Sequence, residues 1–532
     1  MATKSKAAGG ADLSEGQLDR GDSPRELFRK RSGLVLGIVL GVLVYFIMPS
    51  DLPYETRATA GAAVLMAAWW MSEAIPISVT ALLPLVLFPA LKLNEIKEFS
   101  GSYTAPTIFL FMGGFLLALA MQRWNLHKRI ALWVLVAMGS SPRKLVLGFM
   151  IATGFLSMWV SNTATAVMML PIGVSVLALI VRLLHDEKNL AKADKEGVAE
   201  LLAEDADTAK ADSSTGFDPM PSSNFGIALM LGIAYSASIG SLATIIGTPP
   251  NAMLATYMSE QGVNIGFGQW MLVGLPVAII MTAIAWFLLT QILYKPEIDH
   301  IPGGRQLMRD ELSKLGKMSK GEIRVLLVFV VAALSWIFVP LIWEDTLFTD
   351  AVIAMAVGIS LFLIPGGPDG VKLLKWENAL ELPWGVLLLF GGGLALSSQF
   401  SSSGLSDWIG ESLSGLGFLP IMLLVLVIAG VVLLLTEFTS NTATAATFLP
   451  LVGAIAVGLG YDQMVLAVPV ALAATSAFMM PVATPPNAIA YGSGYVSMSN
   501  MVRAGIWLNI IALLVITGIS MTIMLWVFGI TI

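Results

Sequence analysis

The chain has 532 residues, of which 56% are hydrophobic and 12% are charged, with a formal net charge of -6. Soluble domains carry roughly 25% charged residues, so this composition excludes an ordinary soluble protein. Several segments approach the ~20 apolar residues that a helix needs to cross a bilayer. Cysteine is absent, which excludes disulfides, thiolate catalysis and cysteine-ligated metals. We therefore predict an all-α polytopic membrane protein in a lipid bilayer, with no nucleic acid partner.

The N-terminal part of the chain sets the predicted orientation. Residues 1–31 are expected to be a disordered cytoplasmic tail, and they end in basic residues such as Arg29 and Lys30. Basic residues beside a first apolar helix usually stay cytoplasmic, so the N-terminus is predicted inside. Residues 32–138 are predicted to hold the first membrane helices, including Ile75–Leu91, and an interfacial segment, Ile130–Met138. His127, His185 and His300 are interpreted as solvated loop residues.

Residues 139–294 contain the first unusual membrane segment. An apolar stretch, predicted as a hairpin over 142–183, has basic residues at both ends, so both ends are expected to be cytoplasmic. Two half-length helices would then form a re-entrant hairpin with Ser161-Asn162-Thr163 at its tip. A cytoplasmic insert follows over 185–224, partly helical and partly disordered. The segment 225–257 is predicted to be a broken helix, because proline cannot continue a helix interior.

The second half of the chain repeats this plan. A basic linker over 295–324 is expected to be cytoplasmic, and 325–418 holds further membrane helices. The predicted hairpin 419–458 lacks basic flanks, so we expect it to enter from outside, and 464–490 is predicted as a second broken helix before the last helix. The total is about eleven transmembrane helices and two re-entrant helical hairpins, with the C-terminus outside.

Two sequence motifs occur once in each half. Ser161-Asn162-Thr163-Ala164-Thr165-Ala166 returns unchanged from Ser440 to Ala445, and Thr248-Pro249-Pro250-Asn251-Ala252 returns from Thr484 to Ala488. A single polar triplet in an apolar helix is usually a helix-packing site. Two copies in register, each followed by an identical proline break, favour a functional site instead. Inverted repeats whose broken helices meet at the midplane are typical of secondary transporters.

The chemistry of the motifs predicts joint binding of an anion and a cation. Free amides at helix N-termini attract anions, while free carbonyls and side-chain oxygens can ligate a small cation. Lysine and arginine are absent from the motifs. A bound dianion would therefore need co-bound cations, because uncompensated charge is costly in a low dielectric. Glu437 is the only carboxylate inside a hairpin; Met158 occupies its position in the first half, so we favour a structural role.

These residues together resemble the divalent anion/sodium symporter family, which contains sodium-coupled carriers of dicarboxylates, citrate and sulfate. The resemblance covers nearly the whole chain from Arg31. It implies a homodimer in which a transport domain moves across the membrane against a scaffold domain, like an elevator. It also implies that residues 32–138 and 325–418 belong to the scaffold, while 139–294 and 419–532 carry the transport parts and the last helix.

The resemblance also implies a set of site residues. The first sodium site would comprise Ser157, Ser161, Asn162 and Gly247, and the second would comprise Thr436, Thr439, Asn441 and Ala483. The substrate would be bound by the two tips and closed in by the two breaks, at Ser161, Asn162, Thr163, Thr248, Ser440, Asn441, Thr442, Thr484 and Pro485.

The function expected from the sequence is uptake of four-carbon dicarboxylates (succinate, fumarate or malate) by symport with Na⁺ across the cell membrane. Alternatives in the same family are a sodium-independent dicarboxylate exchanger and a citrate or sulfate carrier. A passive anion channel is the alternative from another class, although hairpins from opposite faces favour alternating access. An enzyme is not expected, since the tip serines have no histidine or lysine base nearby in the sequence.

Overall fold

In the computed structural model the described residues are 23–139, 141–177, 223–298, 304–343, 347–413 and 419–532. Their regular structure is helical, apart from an isolated antiparallel bridge between Pro365 and Lys372. The helices of the first half are Pro24–Ile47, Tyr54–Ser72, Ile77–Thr80, Pro84–Ala90, Ile96–Phe99, Pro106–Arg123, Leu126–Met138, Pro142–Ser157, Asn162–Leu177, Asn224–Ser241, Pro249–Glu260 and Phe267–Phe287. Those of the second half are Gly304–Lys314, Lys320–Ile342, Asp350–Leu363, Trp376–Ala379, Trp384–Ser402, Leu405–Leu413, Ile421–Thr436, Asn441–Gly458, Met464–Thr475, Pro485–Gly492 and Met498–Ile519.

Two long helices continue through π-helical turns. Phe267–Phe287 continues over Leu288–Leu293, and Met498–Ile519 continues over Ser520–Met524 into Leu525–Phe528. Within the described ranges, eight helices are long and apolar enough to cross a membrane by length and composition. The shorter apolar helices include Asn162–Leu177 and Ile421–Thr436 of the hairpins and Met464–Thr475 of a broken helix. The expected number of eleven spans remains a prediction.

Two helical hairpins lie where the sequence predicts them. The first hairpin is Pro142–Ser157 followed by Asn162–Leu177, and the second hairpin is Ile421–Thr436 followed by Asn441–Gly458. The first helix of each is 16 residues long. In both hairpins the second helix begins at the asparagine of the Ser-Asn-Thr triplet. The repeated motif therefore marks the same turn in both halves of the chain.

Each Thr-Pro-Pro-Asn motif begins the second piece of a broken helix. The first broken helix is Asn224–Ser241 followed by Pro249–Glu260, and the second broken helix is Met464–Thr475 followed by Pro485–Gly492. Proline is well suited to the first helical position because its missing N–H has no partner there anyway. The two broken helices cross, since the second piece of each packs against the first piece of the other.

The two hairpins contact opposite ends of the first broken helix. A Cβ atom on Gly226, near its start, would lie 3.7 Å from Leu177, the last described residue of the first hairpin. At its other end, Gln463, which follows the second hairpin, donates to Gln261 over 3.3 Å and accepts a hydrogen bond from the Tyr257 hydroxyl over 2.7 Å. The bases of the hairpins are thus separated by the length of this helix.

Glycines allow close packing among the other membrane helices. A Cβ on Gly113 would lie 2.3 Å from the carbonyl oxygen of Ala354, and a Cβ on Gly392 would lie 2.3 Å from that of Ala81. Helix Pro106–Arg123 consequently packs directly against Asp350–Leu363. These contacts bind helices from the two halves of the chain to one another.

The structure differs from the sequence-based expectation at one predicted span and at His127. The predicted span Ile75–Leu91 is instead divided into Ile77–Thr80 and Pro84–Ala90. His127 does not lie in a solvated loop: it is buried in helix Leu126–Met138, with Nδ1 3.0 Å from the Met121 carbonyl, and burial lowers its pKa below the usual value. The polar first turn of this helix, which contains His127, Lys128 and Arg129, resembles a loop in the sequence. The insert 185–224 lies almost entirely outside the described residues, as do His185, His300 and the tail up to residue 22.

Candidate functional site

The first tip, Ser161-Asn162-Thr163, begins a helix in the middle of the apolar chain. The Ser161 hydroxyl accepts from the Ala164 amide over 3.3 Å, and Asn162 Oδ1 accepts from the Thr163 amide over 2.8 Å. These side-chain oxygens cap the N–H groups that a helix start leaves without intrahelical partners. Ser161, Asn162 and Thr163 are only partly buried, whereas Ser157, one turn earlier, is fully buried. The first tip therefore presents polar groups to a space beside the helices.

The first break, residues 242–248, is bound to the first hairpin by neutral hydrogen bonds. The Thr244 hydroxyl donates to the carbonyl of Met158, and the Ser157 hydroxyl donates to that of Ala237 over 2.5 Å. Asn251 Nδ2 closes the break by donating to the carbonyls of Leu242 and Thr244 over 3.1 and 2.9 Å. The side-chain amide of the Thr-Pro-Pro-Asn motif thus replaces the helical bonds that the prolines remove.

The second tip, Ser440-Asn441-Thr442, has the same start but fewer caps. No side chain caps the amides of its first turn, and Ser440, Asn441 and Thr442 are partly buried. The Thr436 hydroxyl lies 2.8 Å from Asn441 Oδ1 and donates to the Ala474 carbonyl over 2.7 Å. Thr439 lies 2.7 Å from the Thr444 hydroxyl. Uncapped amides at a helix N-terminus are a favourable place for an anion.

The second break, residues 476–484, begins with five residues that have no regular structure, whereas the first break contains the 3₁₀ turn Ile245–Gly247. Asn487 Nδ2 donates to the carbonyls of Ala477 and Met480 over 3.2 and 3.1 Å. Its backbone N–H is capped by the Thr484 hydroxyl at 3.3 Å. Thr248 and Thr484 have almost the same backbone angles, with φ near -145° and -142°. The helix starts are duplicated closely, although the segments before them differ.

The two breaks meet in the buried interior. The hydroxyls of Thr248 and Thr475 lie 3.4 Å apart, and both side chains are almost fully buried. The carbonyl of Ala474, next to Thr475, accepts a hydrogen bond from Thr436 beside the second tip. In the first break, which ends at Thr248, Thr244 donates to the carbonyl of Met158 beside the first tip. Within the part of the chain described, no hydrogen bond joins the two tips directly. They are connected through the crossing broken helices.

The predicted sodium ligands lie at the two tips and in the two breaks. Ser157, Ser161 and Asn162 lie at the first tip, and Thr436, Thr439 and Asn441 lie at the second. Gly247 and Ala483 lie in the breaks, where their N–H groups donate to the carbonyls of Thr244 and Met480. Among the described contacts, no hydrogen bond links either residue to a tip side chain. Gly247 has no room for a side chain, because a Cβ would lie 2.3 Å from the Ser241 carbonyl oxygen.

No buried cationic side chain belongs to this region. Among the described residues the buried charged side chains are His127, Arg129, Glu322 and Glu437. Arg129 lies on helix Leu126–Met138 and forms an ion pair with Glu322 at 2.8 Å, away from the tips. Sequence analysis missed this pair, since its members are far apart in the chain. Only Glu437 is adjacent to the tips and breaks.

Two cavities approach the tips. One of about 680 Å³ is lined by Ser440 and Thr442 of the second tip and also by Lys30 and Glu73. Another of about 800 Å³ runs beside the first hairpin, with Val160 and Ala164 in one wall and Lys128 in another. Lys30 and Lys128 both belong to segments whose basic residues predict the cytoplasmic side. Both cavities thus extend from the tips towards residues for which the sequence predicts the cytoplasmic side.

Comparison with known proteins agrees with this architecture. The family model described as the sodium:sulfate symporter transmembrane region matches residues 29–530. The chain belongs to this family. Its relatives include the sodium-dependent dicarboxylate transporter SdcS of Staphylococcus saprophyticus, 41% identical over 492 residues, which cover 91% of this chain and 89% of that protein. SdcS of Staphylococcus aureus strain USA300 is 41% identical over 513 residues, covering 94% and 93%. The chain is therefore a polytopic helical membrane protein of this symporter family.

Solved structures of low sequence identity show the same fold. The YdaH transporter of Alcanivorax borkumensis has a TM-score of 0.54 and 14% identity, covering 95% of this chain and 99% of that one. MtrF of Neisseria gonorrhoeae has a TM-score of 0.52 and 11% identity, covering 96% of each chain. At this identity the likeness concerns the fold alone. The family membership rests on the sequence comparisons.

Proposed function

We propose that this chain imports four-carbon dicarboxylates, such as succinate, fumarate or malate, by symport with Na⁺. The observation that carries the proposal is the pair of polar tips at helix starts, connected through crossing broken helices and free of buried cationic side chains. A dianion there needs cations that arrive with it, because an uncompensated charge in a low dielectric is costly. The relatives named sodium-dependent dicarboxylate transporters support the same substrate and ion.

Each tip supplies groups for both partners. The hydroxyl and amide oxygens of Ser157, Ser161 and Asn162, with the Gly247 carbonyl, would surround one Na⁺, and those of Thr436, Thr439 and Asn441, with the Ala483 carbonyl, would surround another. The asparagine NH₂ groups, the tip hydroxyls and the uncapped amides from Asn441 onward would then bind one carboxylate at each tip. Thr248, Thr484 and Pro485 would close the pocket between the tips.

The transport step would be an elevator movement of the two hairpins and broken helices as one unit. Its supporting observation is that the hairpins, entering from opposite ends of the first broken helix, pack on shared crossing helices. The cavity that joins the second tip to Lys30 and Glu73 fits an inward-facing conformation. A homodimer in the cell membrane, with the N-terminus inside and the C-terminus outside, would supply the fixed scaffold for this movement.

Reconstituted proteoliposomes test the proposal. Labelled succinate should accumulate in vesicles that contain no internal substrate when an inward Na⁺ gradient is imposed, and potassium in place of sodium should abolish the accumulation. Uptake that occurs only with internal dicarboxylate would instead show a strict exchanger, and flux that does not saturate or show counterflow would show a channel. Competition by unlabelled fumarate, malate, citrate and sulfate identifies the preferred anion; preference for sulfate or citrate would contradict the assigned substrate.

A further inference from the structure

The carboxylate of Glu437 is buried next to the second tip and binds the second break. Its Oε1 accepts from the backbone amides of Phe478 and Met479 over 2.8 and 3.0 Å and from Asn509 Nδ2 over 2.6 Å. Its Oε2 accepts from the amides of Met479 and Met480 over 3.1 and 3.0 Å. The side chain is 1% exposed. Each of these hydrogen-bond partners is a neutral donor, so the contacts satisfy the oxygen atoms without providing a positive charge.

Among the described residues of the first half, no carboxylate makes an equivalent contact. Met158 occupies the matching position, and there it is the backbone carbonyl that accepts a hydrogen bond from Thr244 in the first break. The second break has no regular structure over residues 476–480, and three consecutive amides, those of Phe478, Met479 and Met480, donate to one carboxylate. A neutral hydrogen bond in one half is thus replaced by a buried carboxylate in the other.

Glu437 also follows Thr436, a residue that we assign to the second sodium site. Thr436 contacts Asn441 Oδ1, while Met480, whose amide Glu437 binds, accepts from the Ala483 amide over 3.2 Å. The same carboxylate reaches the last helix through Asn509. The hairpin, the break and the last helix are therefore fixed to one another at this point.

We propose that Glu437 is a positioning residue that makes the second cation site the stronger of the two. This inference rests on the proposed function. By fixing residues 478–480, the carboxylate places the backbone that leads to Ala483 beside Thr436 and Asn441. Its negative charge, with no cationic partner among its contacts, lowers the free energy of a cation nearby and raises that of a dianion. Na⁺ should therefore bind more tightly at the second tip than at the first.

The test is the sodium dependence of succinate uptake by the full chain in proteoliposomes. Glu437→Gln removes the charge and replaces one accepting oxygen by an NH₂ donor, Glu437→Asp keeps the charge and both accepting oxygens, and Glu55→Gln removes an exposed carboxylate from helix Tyr54–Ser72 as the matched control. We expect Glu437→Gln to need at least about fivefold more Na⁺ for half-maximal uptake, the lower end of typical coupling between sites. Its maximal rate should change less, Glu437→Asp should recover part of the shift, and Glu55→Gln should match the wild type.

A purely structural role would give a different result. It would lower the folded fraction or the maximal rate while leaving the half-maximal Na⁺ concentration unchanged, and that outcome would overturn the inference. If Glu437→Gln does not yield folded protein, Asn509→Leu, which removes one donor and keeps the carboxylate, serves in its place; an unchanged sodium dependence there also contradicts the proposal. Wild-type vesicles without sodium-driven uptake would instead contradict the proposed function itself.

Stabilisation by Na⁺ gives a second readout. In detergent, Na⁺ alone should raise the melting temperature of the wild type. Glu437→Gln should need a higher Na⁺ concentration for the same stabilisation, since a ligand stabilises according to its concentration relative to its dissociation constant. The same Na⁺ requirement in both proteins would contradict the proposal.

Discussion

The two hairpin-and-break units share their motifs and the geometry of their helix starts, yet their stabilising contacts differ. In the first unit, the first tip is capped by its own side chains, and hydroxyls bind the break to the hairpin. In the second unit the first-turn amides have no side-chain cap, and a buried carboxylate binds the break. The duplicated residues are those of the tips and of the breaks, including the asparagines that close the breaks, while the contacts around them differ. The two units have therefore diverged more in the residues that contact the tips and breaks than in the tips themselves.

This difference implies that the two units have distinct tasks in binding. A capped tip has fewer free amides for an anion. A carboxylate beside the uncapped tip lowers the free energy of a cation bound there. Both asparagines of the tips remain available through their side-chain amides. Substitutions at matching positions of the two units are thus the most direct way to test whether they contribute equally.

The largest effect is expected from the tip asparagines. Asn162→Ala and Asn441→Ala should each lower sodium-driven succinate uptake by about 100-fold or more, since each removes a proposed ligand of both Na⁺ and carboxylate, and loss of a residue that only supports a metal ligand already costs about 10–100-fold. The folded protein should remain, as judged by size-exclusion chromatography in detergent. Asn264→Ala, at an exposed position in the loop before helix Phe267–Phe287, is the control. Wild-type uptake by either tip variant would remove that residue from the site.

An intermediate effect is expected where the first unit packs most closely. A Cβ on Gly240 would lie 2.2 Å from the Gly154 carbonyl oxygen, so the first broken helix and first hairpin touch through their backbones. Gly240→Ala should lower the free energy of unfolding by about 1–3 kcal/mol through overpacking. Gly430→Ala in the second hairpin is the matched control, because its Cβ would meet only Leu513 at 3.5 Å. Equal melting temperatures of the two variants would contradict this close contact.

Much of the site could be predicted from the sequence because its polar residues stand out in apolar surroundings. The tip and break motifs identify where both hairpins turn and where the second piece of each broken helix begins, since Pro-Pro starts a helix at its first turn. The partners of Glu437 could not be predicted in this way. Backbone amides of Phe478, Met479 and Met480 carry no signal in the sequence, and only the second break exposes them to a carboxylate. The duplication did indicate that Glu437 differs between the halves.

The errors came from short elements with weak patterns. The first turn of helix Leu126–Met138 contains His127, Lys128 and Arg129, a run that suggests a loop. Burial of Arg129 depends on Glu322 and on carbonyls of Leu315 and Gly316, almost 200 positions later in the chain. Local sequence cannot reveal a charge that is compensated at such a distance.

The smallest difference is expected between the asparagines that close the breaks. The two hydrogens of Asn251 Nδ2 are shared among the carbonyls of Ser241, Leu242 and Thr244, whereas those of Asn487 Nδ2 donate to two carbonyls. At about 1 kcal/mol for each net hydrogen bond, Asn251→Ala should cost about 1 kcal/mol more of unfolding free energy than Asn487→Ala. The weak 3.4 Å contact to Ser241 makes this an upper value. Comparison of denaturant midpoints in matched detergent measures it. A larger loss in Asn487→Ala would contradict this prediction. It would mean that the second break depends more on its asparagine than the first break does, although Glu437 also binds the second break.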